Sequence, residues 1–197
     1  MMRPLALAAL LLAAAPVAGQ EPPVTVAAAP EPVETATKTE ADGTATMTHS
    51  LVVAAPPAAV WIAVSTPEGW KRWAAPLARW AEGESDILET SYNPDELPGG
   101  PGAIWQRFVA AIPGRLLVFR TIKAPDEFPH WEDYKQVTSF LELEPVGDAT
   151  RVRLTSTGYP DNEGGRALQS FFARGNAATL DALRQSLARP AEETPAP

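Results

Sequence analysis

The chain has no cysteine among its 197 residues, so no disulfide braces it and no thiolate can act as nucleophile or metal ligand. It has two histidines, His49 and His130, too far apart in sequence to form a zinc motif that sets paired imidazoles on one helical face. No serine stands in a G-x-S-x-G elbow, and Gly99, Gly100 and Gly102 lie among prolines as a turn, without the strand and helix that a phosphate-binding loop needs. No cofactor and no metal are expected. Basic residues are few, 16 against 24 acidic ones for a net charge of −8, and no basic stripe forms; nucleic acid and anionic membrane surfaces are poor partners for such a chain. The longest apolar run, Leu5 to Ala15, is too short to cross a bilayer, so no membrane span is expected in the mature protein.

What is present falls into four parts. Met1 to Gly19 has a basic start at Arg3, an Ala/Leu middle and the small residues Val17-Ala18-Gly19, the pattern of a secretory signal cut near Gly19 or Gln20. Export to the periplasm or beyond the cell is the expectation. Residues 20–43, rich in Pro, Ala, Thr and Glu and without apolar periodicity, read as a disordered spacer. Residues 44–188 are long enough to bury a core. Residues 189–197, with Pro190, Pro195 and Pro197, read as a disordered tail.

Within residues 44–188 the largest pattern is an amphipathic helix from about Gly164 to Ala188. Leu168, Phe171, Phe172, Gly175, Thr179, Ala182 and Leu183 form its apolar side; Gln169, Ser170, Asn176, Asp181 and Arg184 form the other. Asp161 or Asn162 can cap its start, and Arg189-Pro190 marks its stop. At 1.5 Å per residue it spans roughly 35 Å, and its stripe needs a broad, curved surface to lie on.

Five or six strand-like runs can supply that surface. Thr44 to Ala54 alternates with Met47, His49, Leu51 and Val53 on one side. Two short helices follow, about Ala58 to Val64 and Trp70 to Trp73. Further strands are expected at 87–92, 103–111, 116–122 and 134–144, with residues 124–133 as a loop. In the last hairpin, pairing Glu144 with Arg151 and Glu142 with Arg153 places Leu143 against Val152 and Leu141 against Leu154; a slip by one residue would oppose charge and aliphatic. Pro145 to Thr150 then forms the loop. The order predicts an α+β domain, an antiparallel sheet covered by one long helix.

The run PPAAVWIAVSTPEGWKRWAAP (Pro56 to Pro76), the later FLELEPVGDATRVRLTSTGYPD (Phe140 to Asp161) and the closing amphipathic helix resemble the SRPBCC (START-like) superfamily. Within it they are most similar to the branch of the C-terminal domain of heat-shock-protein ATPase activators. The resemblance implies the helix-grip fold, a curved antiparallel sheet wrapped around a long C-terminal helix, with two short helices after the first strand. It also implies hydrophobic ligand binding in some members, and cyclisation or co-chaperone activity in others. The dedicated co-chaperone has another domain ahead of this one, and residues 20–43 are not such a domain.

Two constellations could carry chemistry. Asp126, Glu127, His130, Glu132 and Asp133 bring an imidazole and four carboxylates into eight residues, a possible general base or metal set. Of these, His130 with Asp126, Glu132 or Asp133 forms the candidate catalytic group; solvated loop acids are the simpler reading. The aromatics form the other, with six tryptophans in the chain. A curved sheet that one helix does not fill leaves an apolar cavity, expected to be lined by Phe108, Phe119, Leu141, Phe171, Phe172 and Gly175, with Trp70, Trp73, His130 and Trp131 near its mouth. Gly175, in mid-helix, would make room for an aromatic neighbour or ligand. Three functions stay open: a carrier of a small hydrophobic molecule, lipid or aromatic; a cyclase- or hydrolase-type enzyme using His130; and a module that binds a protein partner.

Overall fold

The computed structural model describes residues 31–188; the signal pattern, the first part of the spacer, the helix stop at Arg189-Pro190 and the tail lie outside the described residues. Eight strands form one antiparallel sheet: β1 (Glu34–Thr39), β2 (Ala45–Val53), β3 (Leu77–Trp80), β4 (Ile87–Ser91), β5 (Ile104–Ile112), β6 (Leu116–Lys123), β7 (Thr138–Val146) and β8 (Ala149–Tyr159). Their order is β1-β2-β8-β7-β6-β5-β4-β3. Helices α1 (Pro57–Ser65) and α2 (Pro67–Lys71) follow β2, α3 (Trp131–Tyr134) precedes β7, and α4 (Glu163–Ala188) closes the domain. The open, curved sheet with its long C-terminal helix is the helix-grip arrangement.

Alternation sets the buried face of β2: Met47, His49, Leu51 and Val53 are all buried. Leu51 and Val53 pack with Val152, Leu154, Leu141 and Leu143 of β8 and β7 and with Leu180 and Leu183 of α4, while Met47 packs in a second cluster with Val137, Tyr159 and Leu168. The last hairpin takes the expected register, Glu144 opposite Arg151, Leu143 opposite Val152 and Leu141 opposite Leu154. Its loop is tighter than expected, because pairing runs on to Val146 and Ala149 and leaves Gly147 and Asp148 as the turn.

Five boundaries need correction, the first being the second short helix, which spans Pro67–Lys71 where Trp70 to Trp73 is expected. Residues 34–39, inside the expected spacer, form β1, paired with β2 from Glu34–Ser50 to Thr39–Ala45. Every β1 side chain is exposed, so no apolar alternation marks it; only Thr35, Thr37 and Thr39 favour a strand. β3 adds a short strand that apolar patterning did not separate from the preceding helical stretch. The expected loop at 124–133 ends in the single turn α3, and β7 starts at Thr138.

The helical side is fixed by close approach. A Cβ on Gly69 would lie 2.4 Å from the Ala63 carbonyl oxygen, so the α1 and α2 backbones cross there only because residue 69 has no side chain. Thr66 Oγ1 accepts the Gly69 N–H at 3.1 Å and caps α2. At the start of α4, Asn162 Oδ1 accepts the Gly165 N–H at 2.7 Å, the capping contact expected of Asp161 or Asn162. The buried stripe of α4 is Leu168, Leu180 and Leu183 with half-buried Phe172, whereas Phe171 is 56% exposed, off the core to which periodicity assigned it.

Candidate functional site

Between sheet and α4 lies a cavity of about 290 Å³. One end of it is built by two indoles. Trp70 donates to the Val64 carbonyl at 2.7 Å and Trp73 to the Ala63 carbonyl at 2.9 Å, which satisfies carbonyls at the end of α1. The rings, 5.1 Å apart, thus have their polar edges turned to backbone and their bodies to the cavity. Phe119 meets Trp70 edge-on at 6.3 Å and continues the wall onto β6.

An aromatic cluster forms the opposite side. Phe172 of α4 stacks on Tyr134 at 4.6 Å, Phe171 stands edge-on to Phe172 at 5.0 Å, and Phe128 lies 5.3 Å from Tyr134. Exposed Phe171 and Tyr92 mark the opening. Leu141, Leu154 and Leu180 contribute aliphatic surface.

The floor is not uniformly apolar. Thr90, Gln106, Thr121, Ser139 and Ser156 interrupt the inward faces of five successive strands. They connect across the sheet: Gln106 is opposite Thr121, and Ser139 is opposite Ser156. The two serine hydroxyls share a hydrogen bond of 3.0 Å, and Thr121 Oγ1 donates to the Tyr134 hydroxyl at 3.3 Å. Gln106 Oε1 is buried and has no partner, an arrangement that costs ~1–3 kcal/mol when nothing fills it. Burial pushes the Tyr134 and Tyr159 phenols up, so both stay neutral donors through the physiological range. No described lining residue is charged.

Of the expected ligand-contacting residues, Trp70, Trp73, Phe119, Leu141, Phe171 and Phe172 line the cavity. Phe108, Trp131 and Gly175 do not. Phe108 packs edge-on against Trp80 at 5.6 Å, and Trp131 stands edge-on to Tyr134 at 6.3 Å. A Cβ on Gly175 would meet nothing within 4 Å, so this glycine makes room for no neighbour. Asn176, assigned by periodicity to the outer side of the helix, lines the cavity instead.

The acidic cluster lies apart from this cavity. His130 is exposed and holds a left-handed backbone, φ 56°, as the residue before α3. Asp126 pairs with Lys123 at 3.6 Å, Glu132 with Lys135 at 2.5 Å, and Asp133 accepts from Asn162 Nδ2 at 2.9 Å. The last of these ties α3 to the start of α4, the other two are local pairs, and the three do not converge on one atom. Among the described residues no group of three or more His, Asp or Glu could hold a metal. His49, on the apolar side of the first strand as expected, is fully buried: Nε2 lies 3.3 Å from the Ala173 carbonyl, Nδ1 has no partner, and burial holds the imidazole below its ordinary value.

Sequence reasoning missed the polar floor. Its signal was in strand parity: Gln106 shares a face with Ile104 and Phe108, Thr121 with Leu117 and Phe119, Ser139 with Leu141 and Leu143, and Ser156 with Leu154 and Val152. Each is a polar residue on an otherwise apolar face, which marks a site where something polar is met.

The fold is shared with solved structures of low sequence identity. The Aha1 dimer from Colwellia psychrerythraea superposes with a TM-score of 0.58 at 18% identity, covering 72% of this chain and 95% of that one. CalU16 from Micromonospora echinospora gives 0.56 at 17%, covering 83% and 89%. A protein from Mesorhizobium loti gives 0.57 at 18%, covering 74% and 98%. Among curated proteins, none matches the sequence. Residues 44–188 match the family described as polyketide cyclase / dehydrase and lipid transport, and this chain belongs to that family.

Proposed function

We propose that this protein is an exported carrier that holds a small hydrophobic molecule, lipid or aromatic, between its sheet and α4. The observation that carries the reading is the cavity itself: about 290 Å³, bounded by aromatic and aliphatic side chains, with no charged residue among its described lining. Such a site rewards transfer of an apolar body from water at ~25 cal/mol per Å². It offers an ion no partner. The size is close to the lower end of small-molecule sites, ~300 Å³, so the ligand is compact.

The same observation sets binding ahead of catalysis. The ionisable groups of the described lining are phenols, and burial moves Tyr134 and Tyr159 away from the range in which a general base works at neutral pH. His130 stands outside the lining. Export rests on the pattern of Met1 to Gly19.

The test is mass spectrometry of organic extracts from the protein recovered from its own host, with the amino terminus sequenced in the same sample. One apolar compound at near-equimolar amount and a terminus near Gln20 are expected. An empty extract, with no thermal shift across a panel of lipids and aromatics, would overturn the carrier reading; a retained Met1 would overturn export.

A further inference from the structure

The polar floor identifies what kind of apolar molecule the cavity takes. Resting on the carrier reading, we infer that the ligand carries a neutral hydroxyl, anchored by the Gln106 carboxamide and the Tyr134 hydroxyl. Both side chains line the cavity. They converge on one place through Thr121, which faces Gln106 across β5 and β6 and donates to the Tyr134 hydroxyl at 3.3 Å. With Thr121 as donor, the Tyr134 proton is free to be given onward. Gln106 Oε1 is an acceptor with its valence unmet. The last torsion of a glutamine is soft, so rotation of the amide presents that oxygen to a ligand.

One unpaired acceptor beside one free donor is the complement of a hydroxyl, which gives a proton to Gln106 and takes one from Tyr134. A carboxylate would fail here, because it cannot donate to Gln106 and would be buried without a countercharge among the described lining residues. An ether of the same shape keeps the apolar contacts and loses the donation. Gln106 is thus a specificity-determining residue whose polar group the empty protein leaves unpaired.

Fluorescence titration of the whole protein with three probes of one ring system tests this: β-naphthol, its methyl ether and β-naphthoate. At neutral pH, β-naphthol should bind about 10-fold more tightly than the ether, and naphthoate weakest of all. Gln106→Leu should remove the advantage of naphthol over the ether. Because it deletes an unpaired buried acceptor, the variant should melt no lower than the parent; Gln106→Met serves as a second variant of similar shape. Equal binding of naphthol and ether by the parent would overturn the anchor while leaving the carrier reading intact. So would a Gln106 variant that folds and weakens both probes alike. Failure of all three probes to bind would overturn the hydroxyl anchor, whereas the carrier reading falls only if the extract and the lipid and aromatic panel are empty as well.

Discussion

Glu89 is 1% exposed, and its carboxylate receives the Arg79 guanidinium at 2.5 Å. The Gly99 N–H adds a bond to the same carboxylate at 3.1 Å, and Arg79 also donates to the Glu96 carbonyl at 3.1 Å. The pair therefore ties the loop after β4 down over β3 and β4, the second of which carries Thr90 into the cavity.

Removing the guanidinium leaves that carboxylate buried with one backbone donor. Arg79→Met should cost about 3 kcal/mol in chemical denaturation, since breaking a buried pair exposes the desolvation penalty of the remaining charge. Arg79→Met combined with Glu89→Leu should recover more than half of the loss. A double variant no more stable than the single one would show that the loop contacts, and not the lone charge, set the cost.

His49 gives the domain a pH dependence whose sign follows from burial. Burial holds the folded imidazole below the ordinary value of 6.5 that the unfolded chain shows. Above 6.5 both states are neutral and the residue favours neither. As pH falls below it, the unfolded chain takes up a proton that the folded one refuses, and stability drops until the folded imidazole also titrates. Melting temperature should therefore decline from pH 6.5 downward, ahead of the carboxylates. Glu40 and Asp42, lowered by the hydrogen bonds from Lys38 and Thr44, lose their contributions only in more acid solution. His49→Leu should flatten the upper part of that decline.

How much of this was legible in sequence depends on whether a side chain's environment repeats. The hairpin register from Glu144 and Arg151 to Leu141 and Leu154 was readable because each position constrains the next through alternating charge and apolar side chains. β1 was not, since its side chains are exposed on both faces and backbone hydrogen bonding alone holds it to β2. On α4, periodicity placed Phe171 inside and Asn176 outside, whereas Phe171 stands at the opening and Asn176 lines the cavity. A cavity rewards polar residues at inward positions, so a pattern that equates buried with apolar fails at the binding site first.

Phe171 and Phe172, adjacent on α4, should separate stability from binding. Phe172 is half-buried and stacked on Tyr134, so Phe172→Ala should cost about 2 kcal/mol, less than the ~3–5 for a fully buried ring. Phe171 is 56% exposed, and Phe171→Ala should cost no more than about 1 kcal/mol. Both rings line the cavity, so both variants should lose affinity for an apolar probe in titration. A Phe171→Ala protein with full affinity would remove that ring from the site.

The same substitution at two glycines should act with opposite sign. At Gly175 a Cβ enters open space, and alanine in a helix interior is favoured over glycine, so Gly175→Ala should stabilise by about 0.5–1 kcal/mol. At Gly69 a Cβ would lie 2.4 Å from the Ala63 carbonyl oxygen and 2.6 Å from the Ala63 Cα, and backbone cannot yield as a flexible side chain does. Gly69→Ala must push α2 away from α1, at a cost of about 1–3 kcal/mol. That displacement also strains the bonds from Trp70 to Val64 and from Trp73 to Ala63, which hold the indole end of the cavity. Gly69→Ala should therefore weaken probe binding in addition to lowering the melting temperature. Gly175→Ala, which touches neither wall, should raise the melting temperature and leave affinity unchanged; reduced affinity there would mean that the ligand reaches further along α4 than the lining residues do.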